Sequence, residues 1–152
     1  FNNDATYLYQ TDDENYNLGQ TSFECGRRNN ALKFWTLWKA IGTNGIAEIV
    51  EHEFQLADIA RDYVKNNESY SLYSFSDSLS ICFNYKDFDP VDLCTKLYQY
   101  NKLMVGFGYF HQQGFVRLVT INGENTNENI LNFFKVLEEF IVKHHDKVKR
   151  IA

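Results

Sequence analysis

Phe115-Val116-Arg117-Leu118-Val119-Thr120-Ile121 is the stretch on which the fold turns. Branched and aromatic residues dominate it. Phe115, Arg117, Val119 and Ile121 fall on one face and Val116 and Leu118 on the other, the two-residue period of a strand. Just upstream, Met104 to Phe110 reads as a further strand, joined to the first by a short His111-Gln112-Gln113-Gly114 connection. Earlier still, Leu79, Ile81, Phe83 and Tyr85 alternate with Ser80, Cys82 and Asn84. Tyr70 to Phe75 supplies a partner strand, with turn chemistry at Asp77-Ser78 between the two.

Helices flank these strands. Asn30 to Ile41 is apolar almost all round, with polar side chains only at Lys33, Thr36 and Lys39, so burial on most of its circumference is expected. Gly42 ends it. Gly45 to Asn66 is amphipathic, with Ile46, Ile49, Val50, Phe54, Ala57, Ala60 and Val64 on one side at helical spacing. Asp89 stands where an N-cap belongs and Pro90 where a first helical residue belongs, predicting a helix through Val91, Cys94, Leu97 and Tyr98. Asn125 with Glu128 predicts a capping box for a last helix, whose apolar stripe is Ile130, Phe133, Phe134, Leu137, Phe140 and Ile141. The basic tail after Lys143 is expected to fray. Residues 1–29 are polar and read as loop, Tyr7-Leu8-Tyr9 excepted. The order of elements predicts an α+β fold, a small, largely antiparallel sheet covered by helices.

The composition narrows the function classes. The chain has 152 residues, 44% of them hydrophobic and 16% aromatic, with one proline, which supports a folded core and excludes a low-complexity chain. A net charge of -5 argues against nucleic acid, whose phosphates call for clustered Lys and Arg. No apolar run approaches the roughly 20 residues of a membrane helix, and no secretory leader is visible. Cys25, Cys82 and Cys94 form no C-x-x-C pair, which suits reduced thiols in a cytoplasm and makes a metal site unexpected. The opening residue, Phe1, suggests a processed product or a piece of a longer polypeptide.

Among single residues, Arg117 is the most informative. Set among Phe115, Val119 and Ile121, its guanidinium needs an internal Asp or Glu, water at an edge position, or an external carboxylate or phosphate. Arg27 and Arg28, at the entry to the apolar helix, could hold an anion or pair with Asp12, Asp13, Glu14 or Glu24. Tyr16, in a polar loop, could donate a proton, although most such tyrosines are inert. His144 and His145 are adjacent, so they make no metal clip and are expected to be solvated. His52 and His111 have no visible catalytic partner.

Cys25 to Gly42 (CGRRNNALKFWTLWKAIG) resembles the C-G-R-R-x-D-A-L-K-L-W-x-x-W-K-A-x-G segment of the group II pyridoxal-phosphate decarboxylases, glutamate and cysteine sulfinate decarboxylases among them. Ala5 to Gln10 is similar to their A-S-Y-L-F-Q and Ile81 to Tyr85 to their V-C-F-W-Y. Met104 to Phe107 is similar to M-V-G-Y, and Gly114 to Val119 to N-F-F-R-M-V. The ordered blocks cover almost the whole chain. The resemblance implies the C-terminal portion of a fold-type I enzyme: residues 1–44 as the end of the large cofactor domain, and 45–152 as the small C-terminal domain. It implies pyridoxal 5'-phosphate held by an upstream part, because the N-P-H-K motif with the Schiff-base lysine has no counterpart here and neither Lys33 nor Lys39 matches it. The chain alone is then expected to be inactive. Within the intact carboxy-lyase, Arg117 matches the arginine that grips a substrate carboxylate, and Tyr16 falls near the loop tyrosine that returns a proton after carbon dioxide leaves. The implied partners are a small acidic amino acid, the N-terminal remainder of the same enzyme and a second subunit in a homodimer. The competing expectation is a freestanding, non-catalytic α+β interaction module.

Overall fold

A computed structural model of the protein describes residues 29–151. Helix α1 spans Asn30–Lys65, with non-helical backbone at Gly42 (φ 70°, ψ -179°), a left-handed φ that glycine adopts without a Cβ clash. Strands β1 (Tyr70–Leu72) and β2 (Ser80–Tyr85) follow. Helix α2 (Pro90–Asn101), strands β3 (Gly106–Phe110) and β4 (Gln113–Val119) and helix α3 (Asn127–His144) complete the elements of the described residues. The chain divides into two compact units, Phe1–Thr43 and Asn44–Ala152.

In the first unit the described residues are 29–43. Asn29 Oδ1 accepts from the Leu32 backbone N–H at 2.9 Å and so caps the helix. Phe34 and Trp38 meet edge to face at 5.6 Å. The burial expected of this segment is not observed: Phe34, Trp35 and Trp38 are 54%, 55% and 48% exposed.

In the second unit the four strands form one antiparallel sheet in the order β1-β2-β4-β3. Ile81, Phe83 and Tyr85 of β2 and Val116 of β4 are buried against Leu56, Ala60 and Val64 of α1, Leu93 and Leu97 of α2, and Phe134 and Leu137 of α3. An aromatic cluster ties the layers together. Phe134 stacks on Tyr63 at 4.3 Å and stands 5.7 Å from both Tyr70 and Phe83. Glu138 joins three elements polar to polar, accepting from Tyr63 Oη at 2.8 Å and Tyr70 Oη at 3.0 Å. Burial, with the Glu138 charge adding to it, pushes the Tyr63 hydroxyl up to about 12 and the Tyr70 hydroxyl further in the same direction.

Several boundaries differ from expectation. β1 stops at Leu72, because Tyr73 keeps only one bond across, from its N–H to Cys82 O at 2.8 Å. The β3–β4 connection is two residues, His111 and Gln112, both with positive φ (45° and 67°), the backbone of a tight hairpin. The last capping box is Thr126 with Asn129, not Asn125 with Glu128. Helix α2 begins as expected, Asp89 Oδ1 accepting from the Asp92 N–H at 2.8 Å and Pro90 following. The tail does not fray. Val148 is buried, Arg150 pairs with Asp87 at 2.6 Å, and the Ile151 N–H bonds Asp87 O at 2.7 Å. His144, expected to be solvated, stacks on Tyr100 with ring centres 5.0 Å apart, a contact that needs the α2–α3 packing to exist.

Candidate functional site

The three described helices contribute to the core on one face of the sheet, so the side chains of the opposite period lie on the other face. Cys82 of β2, Arg117 of β4 and Gly106 of β3 form one cross-strand row on it. Arg117 is exposed, between the half-buried Phe115 and Val119. Strand alternation placed it with those neighbours correctly; what the packing adds is that this is the face away from the helical core, on which Arg117 is exposed. Among the described residues Arg117 has no carboxylate partner. It acts on Cys82: burial pushes that thiol up while the Arg117 charge draws it down, with a net rise.

The two glycines of β3 give room to this row and the next. A Cβ built on Gly106 would lie 3.3 Å from the Arg117 carbonyl oxygen and 4.0 Å from Arg117 Cβ and Nε. At Gly108 it would lie 2.9 Å from Phe115 Cε2 and 3.1 Å from Cζ. Arg117 and Phe115 thus lean over the edge strand. Asn84, 2% exposed, donates through Nδ2 to Gly114 O at 3.0 Å, and its Oδ1 has no partner.

The buried arginine of this fold is a different one. Arg61 is 3% exposed, pairs with Asp58 and donates to Ser78 O at 2.8 Å, tying α1 to the turn before β2. Its signal in the sequence is helical spacing, four residues after Ala57 and three before Val64 on the apolar stripe. Cys94 is buried under β3, with its Sγ donating to Gly106 O at 3.5 Å, and burial with the Asp89 charge pushes its thiol up to about 12. It is inert at neutral pH. His52 bonds Asn125 O at 2.8 Å, a structural contact between α1 and the segment before α3. Tyr16, Arg27, Arg28 and Cys25 lie outside the described residues.

One depression among the described residues does not fit pyridoxal phosphate. It has a volume of about 630 Å³ and is lined by Asp62 and Glu68 together with Tyr63, Asn66, Asn67 and Ser69. Two carboxylates and no basic group repel a phosphate dianion, so this donor set cannot hold the cofactor. Among the described residues there is likewise no group of three or more His, Cys, Asp or Glu placed to hold a metal ion. No helix among them is long and apolar enough to cross a membrane.

Comparison with known proteins places these features. The model of the pyridoxal-dependent decarboxylase conserved domain matches residues 1–86. The chain is 40% identical over 84 residues to the acidic amino acid decarboxylase GADL1 of Mus musculus, covering 53% of this chain and 15% of that protein. It is 33% identical over 82 residues to the human cysteine sulfinic acid decarboxylase, covering 52% and 17%. The chain therefore spans less than a fifth of the length of these relatives. The crystal structure of mouse CSAD superposes with a TM-score of 0.67 at 23% identity, over 87% of this chain and 32% of that one, which establishes the fold. The α+β sheet, the helices on one of its faces and a family match over more than half the sequence make this chain a member of the pyridoxal-phosphate-dependent group II decarboxylases.

Proposed function

We propose that the chain is the C-terminal portion of a decarboxylase acting on a small acidic amino acid, and that Arg117 binds a carboxylate of that substrate. The observation that carries this reading is the exposed Arg117 on the sheet face away from the helical core, without an acidic partner among the described residues, in a chain of this family. A charge-assisted contact of this kind contributes ~1.5–3 kcal/mol. The names of the relatives, an acidic amino acid decarboxylase and a cysteine sulfinic acid decarboxylase, support a substrate with a second acidic group.

The rest of the reading follows from the resemblance. Residues 1–44 close the large cofactor domain and 45–152 form the small domain; the unit boundary after Thr43 and the backbone break at Gly42 support that division. Pyridoxal phosphate and its Schiff-base lysine belong to an upstream part of the same enzyme, so this chain alone is inactive. The exposed Phe34, Trp35 and Trp38 support a covering partner, for which the upstream part is the first candidate. Tyr16 is the proton donor of the loop, the assembly is a homodimer and the compartment is the cytoplasm. An in-frame upstream domain with N-P-H-K separates this reading from that of a freestanding interaction module.

The decisive experiment is Arg117→Lys in the intact enzyme. A lysine keeps the charge but loses the bidentate fork, so KM for the amino-acid substrate is expected to rise about tenfold or more, with a smaller change in kcat. An unchanged KM removes Arg117 from the role.

A further inference from the structure

Glycine weakens a strand, and an edge strand offers no obvious reason to carry two. Neither Gly106 nor Gly108 has the positive φ that would call for glycine on backbone grounds; among the described residues Gly42 does. What both share is a neighbour on β4 leaning over them. The Phe115 ring fills the space at Gly108, and the Arg117 stem passes over Gly106, with Cys82 on the far side of the same row. A Cβ at Gly106 would crowd the Arg117 carbonyl oxygen at 3.3 Å and be in ordinary contact with Nε at 4.0 Å; a branched side chain would extend beyond it into the space that the guanidinium stem uses.

We propose that Gly106 is a positioning residue for the carboxylate-binding Arg117: the open slot above it lets the guanidinium reach over the β3 edge of the sheet, and the substrate carboxylate is met there. The proposal rests on the reading of Arg117 given above and adds the group that aims it. Filling the slot leaves the Cys82 side of the row as the free space, so the guanidinium moves toward β2.

The test compares Gly106→Ala, Gly106→Val and Arg117→Gln. The Ala variant adds a Cβ 3.3 Å from the Arg117 carbonyl oxygen, which must give by a few tenths of an ångström, and so is the control for backbone effects; Val adds the branches that occupy the slot. In the intact enzyme, Gly106→Val is expected to raise KM for the amino-acid substrate about tenfold with kcat changed much less, while Gly106→Ala stays within about twofold of wild type. Both variants carry the same Cβ against the Arg117 carbonyl oxygen, so the unfolding midpoint of Gly106→Val is expected to match that of Gly106→Ala. An independent readout needs no cofactor. In the 152-residue chain, the pH dependence of Cys82 alkylation, followed on its own peptide by mass spectrometry, reports the position of the guanidinium. Cys82 is expected to titrate lower in Gly106→Val, as the charge approaches it, and higher in Arg117→Gln, as the charge is lost. An unchanged or raised Cys82 titration in Gly106→Val overturns the proposal. So does an unchanged KM in that variant when Arg117→Gln raises KM. An unchanged KM in Arg117→Gln itself overturns the carboxylate reading, and the role of Gly106 with it.

Discussion

Truncating Glu138 to alanine tests what fastens α3 to the rest of the small unit. Its Oε1 accepts from Tyr63 Oη at 2.8 Å and Tyr70 Oη at 3.0 Å, with Asn67 Nδ2 at 3.5 Å. Each hydrogen bond to a charged acceptor contributes ~1.5–3 kcal/mol. Tyr63 is half-buried and turns to water once the carboxylate is gone, so little of its share is lost. Tyr70 is 7% exposed and keeps a hydroxyl without a partner. The expected cost of Glu138→Ala is therefore ~2–4 kcal/mol, a large part of the ~5–15 kcal/mol that holds a domain folded. Tyr70→Phe removes the hydroxyl itself and costs ~1 kcal/mol. The double variant is less destabilised than the sum of the two by at least ~1 kcal/mol, since the orphaned hydroxyl is absent. Urea unfolding followed by circular dichroism measures all four states of this cycle, and a coupling near zero refutes the reasoning. The same network sets an alkaline limit. The folded chain holds the Tyr63 proton up to about 12, against 10.0 for a free tyrosine, and Tyr70 holds its own still more firmly. Protons bound more tightly in the folded chain stabilise it fully below pH ~10, and that stabilisation is lost as pH climbs through the folded values. Each such proton steepens the loss by ~1.4 kcal/mol per pH unit, so Tyr70→Phe flattens the decline by up to that amount.

Three more outcomes are expected. Phe134→Ala empties the centre of the ring cluster, where the side chain is fully buried, and costs ~3–5 kcal/mol by chemical denaturation; a loss under ~1 kcal/mol contradicts the packing described. His111→Asn with Gln112→Gly places the residues that favour positive φ at both hairpin positions and raises stability by about 1 kcal/mol, read as a higher thermal midpoint. Asp92 accepts from the Lys149 N–H and from Lys96, and together these outweigh the upward push of burial to hold its carboxyl below the ordinary range. A lowered carboxyl stabilises the fold above its unfolded value near 3.9 and ceases to do so as pH falls through its folded value. Asp92→Asn should thus cost ~1 kcal/mol at pH 7 and converge on wild type in acid, while proteolysis of the tail after Val148 quickens.

Much of this molecule was legible in its sequence because the controlling physics is local. The stripe from Ile130 to Ile141 is spaced by the helix itself and is buried as read. Asp89 and Pro90 start α2 because a side-chain acceptor and a fixed φ act within one turn. Alternation set Arg117 apart from Val116, since successive strand residues face opposite ways regardless of what covers them. The ordered motifs carried the family as well. Tertiary structure alone decided which sheet face the helices cover, and so that Arg117 is exposed while Arg61 is buried. It decided that Gly106 lies beside Arg117, a pairing across eleven residues of chain that depends on hairpin register. It also decided that a tail with no pattern of its own is held by Asp87 and Asp92, from elements more than fifty residues away. Periodicity fixes the direction of a side chain relative to its own backbone; only the packing of distant segments fixes what that side chain meets.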